Sequence, residues 1–591
     1  MNNSIFSSPS KKIILIISIL FILLGLFFSL IYTNFFSNLL LNFICSHLTV
    51  SDKIIYLFPK TRPMFITNGI ISLCIGFGFF LLLKLQFDID TEKTTIKIFK
   101  KDIELNIFIL LAIFLFLILI RCFWLSQKDS YHMDELYGIG IVNQQKYSFW
   151  GGDTFEINKA YTGAELKSLV FFDDSSFKDF VKDIIHLWIY NKDTAYTSLY
   201  LMLFRLSFIF TKTCDFWTIN IHGFILNIVF LCFSFYFMIL LLNELTDNKP
   251  LKYCLLICAF MNPASVSLSL FLRAYALQEC LLILFTYFFI LFYKKSDEGI
   301  FITKKNLLKG IVVIGIVISS DYFSMIYIGI LGLIILIKSI IKKDVNSIQF
   351  FIVMFFISML LAKILYLNWG SGFLYGRGQE VLQKEQSTDN LKLTLIAFNT
   401  IITKYFFNFS IILIQFVIFN SISKYFSNAE KQKTITLSLL SSIIWIFFVL
   451  YIAPYKTLRY IEAIIPLLTL FFIPIYKQNL KLSRVHLFFL CIFMIFIVLK
   501  ILPLKTNFKN IEYIHNNIAI KNANFLNDDL PVVIYYDSSY TLIIPYLNDE
   551  QTYYFAHSLE EAKNFSSLTS DFWYMELENS KRPFMEILYK R

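Results

Sequence analysis

Charged residues are scarce in this sequence. Only 16% of its 591 residues are Asp, Glu, Lys or Arg, and 57% are hydrophobic. Because a soluble domain must cover its core with polar surface, this composition excludes an ordinary soluble protein. The hydrophobic residues recur in runs of about 17–25, and a run of that length crosses roughly 30 Å of hydrocarbon as a helix. The sequence therefore predicts an α-helical polytopic membrane protein.

Metal-binding and nucleotide-binding patterns are also lacking. The nine cysteines include no CxxC pair, and Cys254 and Cys258, one helical turn apart, favour packing over metal binding. The glycine-rich stretch from Trp369 to Gly378 follows no predicted strand and has no P-loop Lys-Ser/Thr, which argues against a nucleotide site. His132 has few candidate partners, so we assign no metal and no cofactor, although a divalent ion stays an open alternative.

The excess of basic residues does not predict nucleic-acid binding. The formal net charge is +11, but lysine falls mostly in short loops between apolar runs, and the positive-inside rule places such loops in the cytoplasm. Lys11 and Lys12 precede the first run, Ile13–Tyr32, which lacks a convincing signal-peptide cleavage site and is interpreted as a retained anchor. The N-terminus is thereby predicted to be cytoplasmic.

From this start, the alternation of apolar runs predicts about thirteen transmembrane helices, with the C-terminal tail outside. The short run Tyr196–Thr211, which contains Arg205, is interpreted as re-entrant or juxtamembrane. A chain of this kind fits the inner membrane of a bacterium. The predicted spans are Ile13–Tyr32, Ile66–Phe87, Leu105–Leu125, Asn220–Leu242, Leu251–Leu270, Ala276–Tyr293, Leu307–Ser320, Tyr322–Ile337, Phe350–Leu367, Tyr405–Phe419, Ile435–Ala453, Ile461–Tyr476 and Val485–Leu502.

Three regions differ in composition. Residues 1–104 form an N-terminal extension with two spans, and residues 105–502 form the transmembrane core. The core includes a large first external loop, 126–193, which is polar, mildly acidic and expected to carry surface-lying amphipathic helices. The tail, 503–591, is expected to be a small extracytoplasmic α/β domain. Its predicted elements are strands at Pro531–Asp537, Asp571–Leu577 and Phe584–Tyr589 and a helix at Ser558–Phe565.

Ionisable residues and tyrosines collect near the predicted external ends of the spans. They are Asp134, Glu135, Arg273, Tyr275, Asp321, Tyr322, Arg377, Arg459 and Tyr460. A carboxylate beside several cations at one membrane face suits a reaction on a phosphate-bearing lipid, because arginine binds phosphate through a bidentate fork and a carboxylate accepts a proton. Simpler roles stay open: the acidic pair as a solvated helix end, the arginines as snorkelling residues, and Asp321 as a helix cap.

The pattern as a whole resembles the polyprenol-phosphate-dependent glycosyltransferases of the GT-C fold, notably the protein O-mannosyltransferase and lipid A aminoarabinose transferase group. Asp134-Glu135 matches the acidic pair of their first external loop. Arg273-Ala-Tyr275-Ala-Leu is similar to their Arg-x-Tyr-Ala-Leu at the start of a helix. Arg459-Tyr460, followed by a proline, is similar to their late Arg-Tyr…Pro stretch.

Other stretches match this family less closely. Asp321-Tyr322 stands where members often have His-Tyr or Lys-Tyr, and Asp193–Tyr200, at the end of the first loop, lacks the family's His-Pro-Pro. The resemblance covers the chain from Leu105 to Tyr476 and leaves residues 1–104 outside it.

The resemblance implies a GT-C-like fold and a division of roles at the site. Asp134 would be the general base that activates the acceptor, with Glu135 assisting or positioning it. Arg273 and Arg459 would bind the phosphate of the donor. The pocket would be shaped by Tyr275, Asp321, Tyr322 and Tyr460.

The implied partners are a polyprenyl-phosphate sugar donor, membrane lipids and an acceptor that is a lipid, a glycan or a protein. Two alternatives stay open: a transporter or flippase for a lipid-linked glycan, and a non-catalytic subunit of a glycan-assembly complex. A transporter is disfavoured because the hydropathy shows no two-fold repeat and the charges cluster at the ends of the predicted spans.

Overall fold

The structure, a computed structural model, describes the chain in segments. Two of the predicted spans, Ile66–Phe87 and most of Tyr405–Phe419, lie outside the described residues, as does Arg377. The spans Ile13–Tyr32 and Val485–Leu502 are described only in part. The described positions are 19, 22–23, 26, 30, 38, 42, 95–98, 101–143, 155–171, 176–191, 197–209, 211, 215–295, 303–370, 390–406, 429–453, 456–473, 491, 494–495, 497–502, 510–514, 530–536, 543–565, 571–578 and 584–590.

Helices dominate the described chain, as the hydrophobic composition predicts. The helices are α1 Leu105–Ser126, α2 Met133–Val142, α3 Gly163–Val170, α4 Phe177–Ile189, α5 Leu199–Leu206, α6 Phe216–Leu245, α7 Lys249–Phe260, α8 Pro263–Leu270, α9 Tyr275–Lys295, α10 Lys304–Ser320, α11 Tyr322–Ile341, α12 Val345–Leu365, α13 Asn390–Phe406, α14 Ala429–Ile452, α15 Arg459–Glu462, α16 Ile465–Leu468 and α17 Leu559–Lys563.

Six of these helices are long and apolar enough to cross a membrane: α1, α6, α9, α11, α12 and α14. A seventh span is possible if α7 and α8, which are bent by 53° at a short break, count as one. The chain is therefore a helical membrane protein, as predicted. The described residues hold six or seven spans against the thirteen predicted for the whole chain.

The predicted span Leu251–Leu270 is broken in the structure, and its sequence supplies the reason. Pro263 lacks an N–H and begins α8, while the side chain of Asn262 accepts a hydrogen bond from Ala264 N at 3.0 Å as the N-cap. The carbonyl of Phe260, at the end of α7, accepts a hydrogen bond from Arg121 Nη2 at 2.7 Å. The break is therefore capped on both sides.

The predicted span Ile461–Tyr476 is not a continuous helix. Over its described part the chain forms α15, α16 and a 3₁₀ turn at Thr469–Phe472. Pro466 lies inside this stretch and removes a helical donor, which favours short turns over a long helix. By contrast, the described part of the short run Tyr196–Thr211 contains the eight-residue α5, a helix too short to span a membrane, and the sequence predicts this run to be re-entrant or juxtamembrane.

Helix α9 lies at the centre of the transmembrane part. Within its membrane-length window 83% of residues are buried in protein, against 28–50% for the other five spans. It packs against α6, α10, α11, α14 and α15. The loop before α9 and the helices around its first turns therefore set the geometry of the candidate site.

Two small sheets accompany the helices. Strands β1 (Thr95–Ile98) and β2 (Lys101–Glu104) form an antiparallel hairpin just before α1. A five-stranded sheet has the order β3-β5-β4-β6-β7. Its inner pairs β5-β4 and β4-β6 are parallel and its outer pairs antiparallel. Its strands are β3 Tyr161–Thr162, β4 Val532–Tyr535, β5 Thr552–Ala556, β6 Trp573–Glu578 and β7 Phe584–Lys590.

The tail sheet agrees with three predicted strands and adds two that the sequence did not predict. Strands β4, β6 and β7 and helix α17, capped by Ser558, lie where they were expected. Strand β5 is new. Strand β3 comes from the loop over residues 126–193 and pairs with β5 through Tyr161 and Tyr553.

Close backbone contacts hold the first loop against the tail. Gly163 N donates to Gln551 O at 3.2 Å, and Lys167 Nζ pairs with Asp549 Oδ1 at 2.8 Å. A Cβ on Gly163 would overlap the backbone carbonyl of Asn548, lying 2.7 Å from its carbon. The loop and the tail therefore form one packed unit, in which only glycine fits at this position.

We expect Gly163→Ala to destabilise this packed unit by about 1–3 kcal/mol, the usual cost of forcing atoms into a filled space. The measurement is thermal unfolding of the purified protein in detergent. Gly329→Ala is the matched control, because a Cβ on Gly329 would meet nothing within 4 Å. Equal melting temperatures for the two variants would show that the loop and the tail are not packed as described.

Candidate functional site

The acidic pair lies in the first turn of α2, and His132 caps that turn. His132 Nδ1 accepts a hydrogen bond from Asp134 N at 3.1 Å, and Glu135 Oε2 accepts one from His132 N at 2.8 Å. The two bonds satisfy amide groups at the start of α2 in the manner of a capping box. The positive end of the helix dipole also favours carboxylates here. The capping geometry therefore fixes the directions of both acidic side chains.

Glu135 points into the protein and joins three segments. Its Oε1 pairs with Lys128 Nζ at 2.6 Å and accepts a hydrogen bond from Leu272 N at 2.9 Å, and neither Glu135 nor Lys128 has an exposed side chain. Lys128 Nζ also donates to Leu270 O at 2.8 Å. Burial lowers the pKa of Lys128, and the charge of Glu135 opposes that shift. With both oxygens engaged, Glu135 positions α2 against the connection between α8 and α9.

Asp134 points away from this buried pair, toward Arg459 at the start of α15. Its Oδ2 pairs with Arg459 Nη1 at 2.7 Å, and the two side chains are 14% and 16% exposed. His132 Nδ1 lies 3.6 Å from the same oxygen. Asp134 and Arg459, which the resemblance names for separate roles, therefore form a direct, partly accessible ion pair.

Arg273 approaches the same face of α2, one turn further along. A Cβ built on Gly138, four residues after Asp134, would lie 3.3 Å from Arg273 Nη1. Both Arg273 and Arg459 disfavour protonation of His132 through their charge. Two guanidinium groups and one carboxylate therefore converge on the first two turns of α2, and Gly138 leaves the room for Arg273.

Aromatic rings form a wall beside this cluster. Tyr275 stacks on Phe271 with ring centroids 5.7 Å apart, and its ring lies 6.5 Å from that of Tyr460. Tyr460 in turn contacts Phe323 edge-on at 5.5 Å. Tyr275 and Tyr460, two of the three tyrosines that the resemblance places in a pocket, are therefore neighbours, with Phe271 and Phe323 on either side.

Asp321 and Tyr322 lie along the seam between α9 and α11. Asp321 caps α11 by accepting from Phe323 N at 3.3 Å, and its Oδ2 accepts from Gln278 Nε2 at 2.7 Å. Burial raises the pKa of Asp321 to about 7, opposed by these hydrogen bonds. The sequence offered helix capping as the simpler role of Asp321, and the structure contains this cap. Tyr322 OH accepts a hydrogen bond from Gly370 N at 3.4 Å, so its phenol is turned toward the loop that follows α12.

Tyr513 belongs to the site but is absent from the sequence-based candidates. Its ring stacks on Phe271 with centroids 3.9 Å apart and lies edge-on to His132 at 5.7 Å. Its hydroxyl donates to Glu462 Oε2 at 3.4 Å, and burial raises the pKa of this phenol, as does the charge of Glu462. The φ of Tyr513 is +67°, a conformation that costs free energy for a bulky residue and persists only where surrounding contacts enforce it.

Neither Lys128 nor Tyr513 carries a sequence signal that would have found it. Lys128 stands two residues beyond α1, where a lysine ordinarily reads as a solvated helix end. Tyr513 follows Ile511-Glu512 in a stretch with no motif. Among the residues that the structure describes, no group of three or more His, Cys, Asp or Glu side chains is arranged to hold a metal ion.

The arrangement brings groups that can bind an anion together with a group that can accept a proton. Two arginines beside one carboxylate can bind the phosphate group of a substrate. The carboxylate can then face a substrate hydroxyl and accept its proton. The wall of aromatic rings excludes water from one side.

Comparisons with protein-family models, with curated proteins and with solved structures found no match to this chain.

We expect Lys128→Met to destabilise the protein by about 3–5 kcal/mol, because it leaves the carboxylate of Glu135 buried without its cation. The matched control is Lys167→Met, which breaks a pair whose side chains are 28% and 64% exposed and should cost at most about 1 kcal/mol. Unfolding free energies in detergent provide the measurement. Similar losses in the two variants would contradict the anchoring role of Lys128.

We expect the free energy of unfolding to depend on pH through His132, and the sign of this dependence follows from the burial of its side chain. Burial lowers the pKa of His132 in the folded state, and Asp134 opposes this shift. The unfolded chain, with a pKa of about 6.5, therefore binds more protons, and stability falls as the pH drops below that value. Protonation of Nδ1 would also remove the acceptor that caps α2.

His132→Asn should keep the cap but remove the titration, so its melting temperature should change less between pH 7 and pH 5 than that of the wild type. His557→Asn, on the exposed side of the tail, should retain the wild-type pH dependence. If the melting temperature of the His132→Asn protein changes between pH 7 and pH 5 as much as that of the wild type, the pH dependence arises from another group.

Proposed function

We propose that this chain is a membrane-embedded glycosyltransferase of the GT-C type, which transfers a sugar from a polyprenyl-phosphate donor to an extracytoplasmic acceptor. The observation that carries the proposal is the Asp134–Arg459 pair, 2.7 Å long and partly exposed, on a face of α2 that Arg273 also approaches. The sequence resemblance assigns a base to the first of these residues and phosphate binding to the other two. Their convergence supports that assignment.

The ion pair suggests how the donor would prepare the base. A phosphate offers Arg459 a stronger, bidentate partner than a single carboxylate oxygen. Once Arg459 and Arg273 bind the phosphate, Asp134 Oδ2 is released to accept the proton of the acceptor hydroxyl. The acceptor oxygen then bonds to the anomeric carbon, and the bond from that carbon to the phosphate oxygen breaks. The polyprenyl phosphate leaves with the electron pair, and the configuration at the anomeric carbon inverts.

The surrounding residues would hold this geometry. Glu135, engaged by Lys128 and Leu272 N, fixes the rotation of α2 and so the direction of Asp134. Tyr275 and Tyr460 would form the wall against which the sugar lies. Asp321, which accepts a hydrogen bond from Phe323 N, would support that wall through Phe323, and Tyr322 would shape the pocket beside it.

The remaining parts of the proposal concern topology. We propose about thirteen spans, a cytoplasmic N-terminus and a bacterial inner membrane. The tail sheet and the site lie at the same end of α1, because Tyr131 N donates to Tyr546 OH at 3.3 Å and Asp129 N donates to Ile514 O at 3.0 Å. If lysine bias places the tail outside, the site is extracytoplasmic as well.

A transporter for a lipid-linked glycan is the second candidate, and one observation favours it. Arg121 and Glu279 are buried within spans α1 and α9, next to the break between α7 and α8. Charges beside a discontinuous helix are typical of transporter binding sites. However, Arg121 donates to Ser269 Oγ at 2.7 Å and to Phe260 O at 2.7 Å, so its guanidinium braces the break.

The test is sugar transfer from radiolabelled polyprenyl-phosphate sugars in proteoliposomes. We expect Asp134→Asn to reduce transfer by about 10²–10⁴-fold, the usual contribution of a general base. Glu156→Gln is the matched control, since Glu156 is exposed and pairs with Lys159 at the surface. It should transfer sugar at the wild-type rate.

Two results would count against the proposal. Wild-type transfer by a folded Asp134→Asn protein would place the base elsewhere. Absence of transfer from every donor, together with movement of the lipid-linked sugar across the bilayer, would favour the transporter.

A further inference from the structure

We propose that Tyr513 is a positioning residue for the Asp134–Arg459 pair, supplied by the first part of the tail. The proposal rests on the proposed transfer reaction, in which Asp134 accepts a proton and Arg459 binds the phosphate of the donor. Tyr513 acts through two neighbours, His132 and Glu462. The tail therefore contributes a side chain to the site in addition to its sheet.

The backbone is tied to the protein on both sides of Tyr513. Before it, Glu512 N donates to Ser267 Oγ of α8 at 3.0 Å, and after it, Ile514 O accepts a hydrogen bond from Asp129 N at 3.0 Å. These attachments hold Tyr513 at its φ of +67°, which a bulky residue adopts only where its surroundings enforce it. Strain of this kind is concentrated at functional sites.

The ring of Tyr513 packs against the residue that caps α2. It stacks on Phe271 with centroids 3.9 Å apart, and His132 meets both rings edge-on, 5.5 Å from Phe271 and 5.7 Å from Tyr513. His132 in turn holds Asp134, because its Nδ1 accepts from Asp134 N at 3.1 Å and lies 3.6 Å from Asp134 Oδ2. Removal of the Tyr513 ring would therefore free His132 and, through it, the carboxylate.

The hydroxyl of Tyr513 reaches the helix that carries Arg459. It donates to Glu462 Oε2 at 3.4 Å. Glu462 is fully buried and stands three residues after Arg459 in α15. One side chain thus contacts the cap of α2 on one side of the ion pair and α15 on the other. Because a hydrogen bond of 3.4 Å is long, we expect the ring to contribute more than the hydroxyl.

The contact through His132 matters most once the donor is bound. In the proposed reaction Arg459 exchanges Asp134 for the phosphate, so the carboxylate loses its ionic partner. His132 then holds the carboxylate toward the acceptor hydroxyl, and Tyr513 holds His132. Displacing a catalytic group by about 1 Å can cost on the order of 10² in rate. Tyr513 should therefore affect kcat for sugar transfer and leave the KM for the donor nearly unchanged.

The experiment compares Tyr513→Leu, which removes the aromatic ring, with Tyr513→Phe, which keeps the ring and removes the hydroxyl. Sugar transfer in proteoliposomes is measured over a range of donor concentrations. We expect Tyr513→Leu to lower kcat by about 30–100-fold with the donor KM within about twofold of wild type, and Tyr513→Phe to lower kcat by less than about fivefold.

The matched control is Tyr554→Leu, which removes another buried tyrosine of the tail. The ring of Tyr554 lies 6.4 Å from that of Phe565, in a hydrophobic cluster of the tail that is separate from the core around the site. This variant should transfer sugar with the kcat of the wild type.

The chemical reactivity of His132 tests the positioning without the transfer reaction. Diethyl pyrocarbonate modifies accessible neutral imidazole, and mass spectrometry of the peptide that contains His132 gives the rate of modification at this residue. We expect Tyr513→Leu to raise this rate several-fold, because the ring no longer covers the imidazole. Tyr513→Phe and Tyr554→Leu should react at the wild-type rate.

Three results would overturn the proposal: a wild-type kcat in folded Tyr513→Leu, a loss confined to KM, or an unchanged rate of His132 modification. If the wild type transfers no sugar, the proposed function fails. Faster modification in Tyr513→Leu would then still assign the placement of His132 to Tyr513, and an unchanged rate would refute that as well. If Tyr513→Leu does not fold, Tyr513→Asn replaces it, since asparagine suits the positive φ and also removes the ring.

Discussion

The buried pair between Lys128 and Glu135 is the interaction on which the candidate site depends. Removing two charges from water is costly, and a pair of this kind persists only when further hydrogen bonds complete it. Here Leu270 O accepts a hydrogen bond from Lys128, and Leu272 N and His132 N donate hydrogen bonds to the carboxylate of Glu135. The pair therefore joins the turn after α1 to the connection that leads into α9. Arg273 and Tyr275 belong to or follow that connection, and Arg459 is paired with Asp134, the neighbour of Glu135 in α2.

The two adjacent carboxylates face different parts of the molecule for a geometric reason. Neighbouring residues on a helix point about 100° apart, so Glu135 can face the interior while Asp134 faces the edge of the site. The cap from His132 and the buried pair make this division rigid. Glu135 is fully engaged by its partners and holds them in place, whereas Asp134 is partly exposed and is held by Arg459.

Sequence reasoning succeeded where a single local property decides the outcome. Long apolar runs predicted most described spans, and strand-favouring residues predicted β4, β6 and β7. The roles given to Asp134 and Arg459 stay predictions, and the structure pairs these two residues. Sequence reasoning also has a clear limit. It failed where partners are distant. Strand β3 has only two residues and no strand signal of its own, and Lys128 and Tyr513 look like ordinary loop residues until their partners are known. The chain of short turns after Arg459 reads as a span because its composition is apolar throughout.

The pairing of the first loop with the tail also sets an order of events during synthesis. Lys167 and Asp549 are 382 residues apart, and Tyr131 and Tyr546 are 415 apart. At about 5–20 residues per second, the ribosome needs roughly 20–80 s to make the intervening chain. Throughout that interval the loop that carries Asp134 is without β5, the strand with which β3 will pair. The site is therefore assembled last, and a chain that stops before the tail never completes it.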